Sequence, residues 1–383
     1  MLVEGEEFNI LPALVSTVKM GSLRLSNISK RFGGVIALKN VNLEISEGEY
    51  VVLLGPTGAG KTTLLKIVAG LLKQDTGEIY IDGIRVDDYP PEERNVSLFF
   101  QNFALFPHMT ILDNVAFGLK VRGYDSREAE SRALEVLRLM HLDNRAYSYP
   151  RELSGGMQQR VALARTIVTG ASILLLDEPL SQLDAKIKSE LQYELRDFVK
   201  NLGLTALHVT NDVEEALALA DKIAIINKGE VVKIGTPFGI LEEPEDVFVA
   251  GFMTDMNLME GIVEEVSENG ILVDVGNIKL RSSRKGFFKR GEIVIVGVKS
   301  KDFKIKEAGG GLAGKVEDSV FSFKHRKLII CLDNGLRVQV KTDRDCFEKG
   351  AYVSLSIDPN NVYLFPCPKG GLRAAIAEIA GVS

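Results

Sequence analysis

The segment Gly55-Pro56-Thr57-Gly58-Ala59-Gly60-Lys61-Thr62 constrains this chain most, because it matches G-x-x-x-x-G-K-[ST] between an apolar run, Tyr50–Leu54, and a helical pattern opening at Lys61. The glycines let the backbone wrap with its N–H groups turned inward, and the helix N-terminus adds partial positive charge. Lys61 is then placed to neutralise β and γ oxygens of a nucleoside triphosphate, Thr62 to offer a hydroxyl to Mg²⁺, and Thr63 to continue the first turn. Such a loop needs a sheet behind it. Residues 22–237 supply the pattern, with short apolar runs at 96–100, 173–176, 205–209 and 223–226 alternating with helical stretches, as in a mostly parallel sheet covered by helices. A helix-rich insert spans about 111–170, in which Ala129, Ala133, Val136, Leu137 and Met140 recur at helical spacing.

The run Ile173-Leu174-Leu175-Leu176-Asp177-Glu178 ends an apolar strand in two carboxylates, at the edge where open α/β sheets hold ligands. Asp177 is suited to Mg²⁺ and Glu178 to polarising a water aimed at the γ-phosphate.

Composition narrows the surroundings. Lys and Arg number 46 against 52 Asp and Glu, a net charge of −6, which leaves no electrostatic footprint for a nucleic-acid partner. Hydrophobic residues at 45% and charged residues at 26% are those of a folded protein. No apolar run approaches the roughly 18 residues that span a bilayer, and the acidic N-terminus, Glu4, Glu6 and Glu7, lacks the basic start of a secretory signal. Cys331, Cys346 and Cys367 are odd in number and without metal-ligand spacing, so a reducing, cytoplasmic setting is expected.

Leu153-Ser154-Gly155-Gly156-Met157-Gln158-Gln159-Arg160 resembles the signature of ATP-binding cassette (ABC) proteins. Ser154 with the N–H groups of Gly155 and Gly156 forms a second helix N-terminus suited to an anion. The resemblance implies that two cassettes pair head to tail, so that the signature of one chain caps the γ-phosphate held by the lysine of the other. It further implies that adenine stacks on Phe32, that Gln101 reaches Mg²⁺, and that Asp184, in Ser181-Gln182-Leu183-Asp184, crosses the dimer. Residues 103–110, with Phe106-Pro107-His108-Met109, resemble the surface that receives a coupling helix of a membrane permease. In Val209-Thr210-Asn211-Asp212, which resembles the switch segment, Asn211 stands where the family has histidine. Asparagine keeps an N–H donor but is shorter and cannot exchange a proton. Loss of one charge-assisted bond corresponds to roughly 1.5–3 kcal/mol, or about 10–100-fold in rate, so slow but real hydrolysis is expected. His208 is read as a buried strand residue.

After Pro237 the pattern becomes short alternating strands between Gly, Asn and Asp turns. This region carries a weak internal repeat, in which Gly261-Ile262-Val263-Glu264 parallels Gly314-Lys315-Val316-Glu317. The region resembles the paired oligomer-binding-like (TOBE) domain of importer ATPases, although Gly297-Val298-Lys299-Ser300 departs from the usual Arg-Pro-Glu. The expected organisation is an N-terminal extension at 1–21, an α/β P-loop ATPase cassette with its helical subdomain at 22–237, a linker at 238–258, an all-β OB-like regulatory domain at 259–366 and a tail at 367–383. The resemblance implies an importer ATPase using ATP and Mg²⁺, peripheral on the inner face of the cell membrane. Its implied partners are a second copy or a related ABC subunit, permease subunits and, indirectly, an extracytoplasmic solute-binding protein. Sugar is the leading cargo, with polyamine, ferric iron and oxyanion as alternatives, and a slow-turnover regulatory subunit is the other reading of Asn211.

Overall fold

The computed structural model describes residues 21–181, 185–284, 286–306, 312–322, 325–343 and 347–381. The chain divides between Pro237 and Phe238 into two compact units.

The first unit holds two sheets. Strands β1 (Leu23–Phe32), β2 (Val35–Ile45), β4 (Thr76–Ile81) and β5 (Ile84–Arg85) form an antiparallel sheet in the order β2-β1-β4-β5. This sheet is additional to the mostly parallel one expected. Its strands alternate, with Leu23 and Leu25 buried and Arg24 exposed, so one face packs inward and the other meets water. The second sheet runs β10-β9-β3-β8-β7-β6, from β3 (Tyr50–Leu54), β6 (Val96–Phe99), β7 (Ile173–Asp177), β8 (Thr205–Thr210), β9 (Lys222–Asn227) and β10 (Glu230–Gly235). Its pairings are parallel except that of β10 with β9. Every residue of β3, β7 and β8 is buried, which is why these strands read as continuous apolar runs rather than alternating ones. Leu53 and Leu207 from the strands share one core with Leu64, Leu65 and Ile67 of helix α1 (Lys61–Val68).

The insert contributes α2 (Ile111–Val121), α3 (Ser126–Leu139) and α4 (Gly155–Ile167), opened by the side-chain caps Thr110, Asp125 and Ser154. Helix α2 packs on both others, and Ala129, Ala133, Val136 and Leu137 form the buried stripe of α3. Helices α5 (Ala185–Asn201) and α6 (Val213–Leu219) follow β7 and β8.

The second unit is β-rich. One five-stranded sheet contains Met256–Ser267, Gly270–Asp274, Lys279–Ser282, Ile293–Lys299 and Tyr363–Pro366. The other contains Phe303–Lys306, Leu312–Ser322, His325–Leu332, Arg337–Thr342 and Tyr352–Ile357. The two members of the sequence repeat start equivalent hairpins, one in each sheet, and Val273, Val296, Leu328 and Val340 belong to one core. The expected linker is built from α7 (Pro237–Glu242), α8 (Val247–Met253) and the start of the first strand. Within the segment expected as a tail at 367–383 lies α9 (Gly371–Ile379), whose Ala375 joins Val247, Ala250 and Phe365 in a small core. A Cβ on Gly251 would crowd the Ile379 side chain of α9. Among the described residues, Cys331 and Cys367 are free thiols.

Candidate functional site

Parallel pairing brings the C-terminal ends of β3, β6, β7 and β8 to one sheet edge, which carries the loop 55–60, Gln101, Asp177 with Glu178, and Asn211. Hydrogen bonds extend past the strands: Gly55 N–H donates to Thr210 O at 3.4 Å, and Glu178 N–H to Val209 O at 3.0 Å.

The loop curls as its glycines allow. Gly60 opens α1 at φ 104°, and a Cβ there would lie 2.5 Å from Ala37 O on β2. Gly58 is also left-handed, φ 83°, and a Cβ there would meet nothing within 4 Å. In the first turn, the N–H groups of Lys61, Thr62 and Thr63 have no partner within the helix. Lys61 Nζ donates to Gly55 O at 2.8 Å and Pro56 O at 3.0 Å, folding the ammonium over the loop. Burial holds the Lys61 pKa below its ordinary value, with the negative charges of Glu178 and Asp177 opposing the shift. These donors fit a triphosphate.

Thr62 Oγ1 donates to Asp177 Oδ1 at 3.1 Å. Asp177 is only 9% exposed, and burial pushes its carboxyl up against the opposing Thr62 hydrogen bond and the charges of Lys66 and Lys61. A hydroxyl beside a desolvated carboxylate is a hard-oxygen donor pair that fits Mg²⁺, and a divalent cation there would offset the burial cost of the carboxylate.

Glu178 takes a left-handed backbone, φ 45°, a conformation that costs a non-glycine residue about 1–3 kcal/mol and persists where its surroundings impose it. Its N–H is bound to Val209 O, and its carbonyl accepts from Ser181 N–H and Oγ. Gln101 Nε2 donates to Glu178 Oε2 at 3.0 Å, so the amide expected on Mg²⁺ lies on the glutamate in this structure. Phe32 ends β1 at the two-glycine turn into β2 and is 49% exposed, with Lys30 Nζ 5.7 Å from its ring centroid. Asn211 is exposed, directly before Asp212, which caps α6 by accepting from Glu215 N–H at 3.1 Å.

The signature is apart from this group. Ser154 Oγ accepts from Met157 N–H at 3.4 Å, and Ser154 and Gly155 are exposed. No hydrogen bond among the described residues joins 154–156 to the loop 55–63. Asp184 lies outside the described residues.

Sequence reasoning missed Arg165. From the last turn of α4 it donates to Phe103 O at 2.9 Å and Ala104 O at 2.8 Å, two residues with left-handed backbone that follow Gln101. Burial lowers its pKa, and its guanidinium lies 5.4 Å from the Phe106 ring centroid. An arginine among the small and apolar residues of α4 was the available signal.

Comparison with known proteins agrees with this geometry. Residues 38–181 match the family model described as ABC transporter. The chain is 39% identical over 325 residues to the "Spermidine/putrescine import ATP-binding protein PotA" of Nitratidesulfovibrio vulgaris, covering 82% of this chain and 88% of that protein. It is 41% identical to the protein of that name from Lawsonia intracellularis (83% and 88% covered) and 38% identical to that from Thermotoga maritima (84% and 89% covered). Two solved structures of the ATP-binding cassette MJ0796, both dimeric and one bound to ADP and Pi, match with TM-score 0.51 and 36% identity, over 56% of this chain and 98% of theirs.

Proposed function

Since this chain belongs to the ABC transporter family, we propose that its ATPase activity powers polyamine uptake through membrane permease subunits. It is an ABC importer ATPase, with the cassette fold of a P-loop enzyme that uses ATP and Mg²⁺. The observation that carries the cargo is that the three relatives, 38–41% identical over most of the chain, all bear the name of a spermidine/putrescine import protein. Sugar, the leading expectation from the β-rich region, finds no support in those relatives and gives way to polyamine, one of the stated alternatives. That region resembled several importer groups at once, because cargo is read by a binding protein and permease and not by the cassette.

In this reading the loop 55–60 with Lys61 and Thr63 holds the phosphates, Phe32 stacks on adenine, and Thr62, Asp177 and Gln101 serve Mg²⁺. Bound Mg²⁺ supplies charge neutralisation at the β and γ oxygens. Glu178 polarises the attacking water, and release of the Gln101 amide from its carboxylate frees it to do so. Asn211 supplies the amide donor beside it. Ser154, Gly155, Gly156 and Asp184 act on the nucleotide of a second copy or related subunit, as support for which the MJ0796 cassette is dimeric. The surface around Phe106, with Pro107 and His108 exposed, receives the permease, which places the chain on the cytoplasmic face of the membrane. Among the described residues no helix is long and apolar enough to cross it. The second unit serves as an OB-like regulatory domain. Asn211 supports one variant of this reading, a slow subunit whose rate is set by the switch.

The test reconstitutes the chain with its permease and binding protein in vesicles and measures ATP turnover and uptake with spermidine, putrescine, maltose and molybdate. Polyamines are expected to raise turnover about tenfold, with Glu178→Gln lowering it by 100-fold or more. Stimulation by maltose or molybdate with indifference to polyamines would reject the cargo.

A further inference from the structure

Behind Asn211 lies a buried polar cluster that the roles above leave unused. His208, fully buried on β8, places Nδ1 2.9 Å from the hydroxyl of Tyr50 on β3 and Nε2 3.0 Å from Glu215 Oε1 on α6. Burial pushes the Tyr50 phenol well above its ordinary pKa, so the hydroxyl keeps its proton in its hydrogen bond with Nδ1. Nε2 and Glu215 Oε1 face each other at this ion-pair distance without meeting hydrogen-bond geometry. Burial works to raise the Glu215 carboxyl, but His208 and the charge of Lys188 outweigh it and hold it below the usual range.

Glu215 Oε2 accepts from Thr210 Oγ1 at 3.1 Å and lies 3.1 Å from Lys188 Nζ on α5. Lys188 also bonds Asp212 Oδ2 at 2.6 Å, and Thr210 Oγ1 accepts from Asp212 N–H at 3.1 Å. Both chain neighbours of Asn211 are thus tied to one carboxylate, while Asn211 itself is exposed. An apolar filling would pack β8 as well; the polar cluster adds a fixed direction, because displacing Glu215 or Lys188 leaves the other's charge without its partner.

We propose that His208 is a positioning residue for the switch: by orienting Glu215 it fixes the backbone on either side of Asn211, and through Lys188 it ties that backbone to α5. This rests on the ATPase reading proposed above.

The test compares kcat and KM for ATP, per folded molecule, in His208→Leu, His208→Gln, Tyr50→Phe and Glu178→Gln. His208→Leu is expected to lower kcat about tenfold or more with KM changed less than about twofold. Glutamine, which can accept from Tyr50 and donate to Glu215 without titrating, should restore kcat to within about threefold. Combining Lys188→Met with His208→Leu should cost less than the product of the single losses, since both act through Glu215. Should the leucine variant fail to fold, Tyr50→Phe carries the test, with about two- to fivefold lower kcat expected at constant KM. A normal kcat in the folded variants, no rescue by glutamine, or multiplicative losses would overturn the positioning role alone, provided Glu178→Gln is inactive. A Glu178→Gln variant as fast as wild type would overturn both that role and the underlying assignment.

Discussion

Helix α1 opens inside a cradle, whereas α4 opens onto the surface. Both present first-turn N–H groups without helical partners, and both follow or begin with glycine. Around α1 the fold gathers the ammonium and hydroxyl of the helix's own first turn and two carboxylates from the end of β7. At α4 the one polar side chain of the turn, Ser154, caps its own helix. The contrast teaches that a helix end becomes a binding site through what surrounds it. In the function proposed above, the signature meets a phosphate held by another chain.

Substitutions can break this comparison. The largest effect is expected from Lys61→Ala, which removes the cation of the cradle and should weaken binding of a fluorescent ATP analogue about 100-fold or more. Gly156→Asp should leave binding to the isolated chain within about twofold while lowering turnover about 100-fold; equal loss of binding in both would erase the distinction between the two helix ends. A smaller effect is expected at the switch. Asn211→His should raise turnover about tenfold by restoring a longer, charge-capable donor, and unchanged turnover would remove Asn211 as the cause of a slow rate.

The smallest effect concerns Asp177. Its folded-state pKa is raised by burial, so the unfolded chain releases the proton first and stability falls as pH climbs from the ordinary Asp value through the raised one. Asp177→Asn should therefore melt about 1–3 °C higher than wild type without nucleotide at pH 7, the gap vanishing at low pH. A variant that melts lower at pH 7 would mean that Asp177 is stabilised by Lys66 and Lys61 more than it is penalised by burial.

Much of the site was legible because its parts are local. The loop from Gly55 to Thr62, the carboxylates after Leu176 and the cap at Ser154 each join a strand end or helix start to a short residue pattern, and each was found where its pattern placed it. The antiparallel sheet within the first unit was not foreseen, since hairpin alternation in β1 and β2 competes with the α/β pattern that follows. Helix α9 was missed because a short amphipathic segment after the last strand reads as a tail until α8 offers it a partner.

His208, Glu215 and Lys188 show the same limit from inside the cassette. A histidine in a strand, a glutamate in a helix and a lysine in another carry no shared spacing, and only the packing of β8, α5 and α6 brings His208 and Lys188 each within 3.1 Å of Glu215. The residue order by itself determined the phosphate loop, the acidic strand end, the helical insert and the change to β structure after Pro237, because each depends on neighbours in the chain. Tertiary structure alone decided that Gln101 rests on Glu178, that Arg165 grips the segment after Gln101, and that a buried carboxylate stands behind Asn211. Those contacts join residues distant in the chain, and such contacts become definite only when the sheet fixes which strand ends are neighbours.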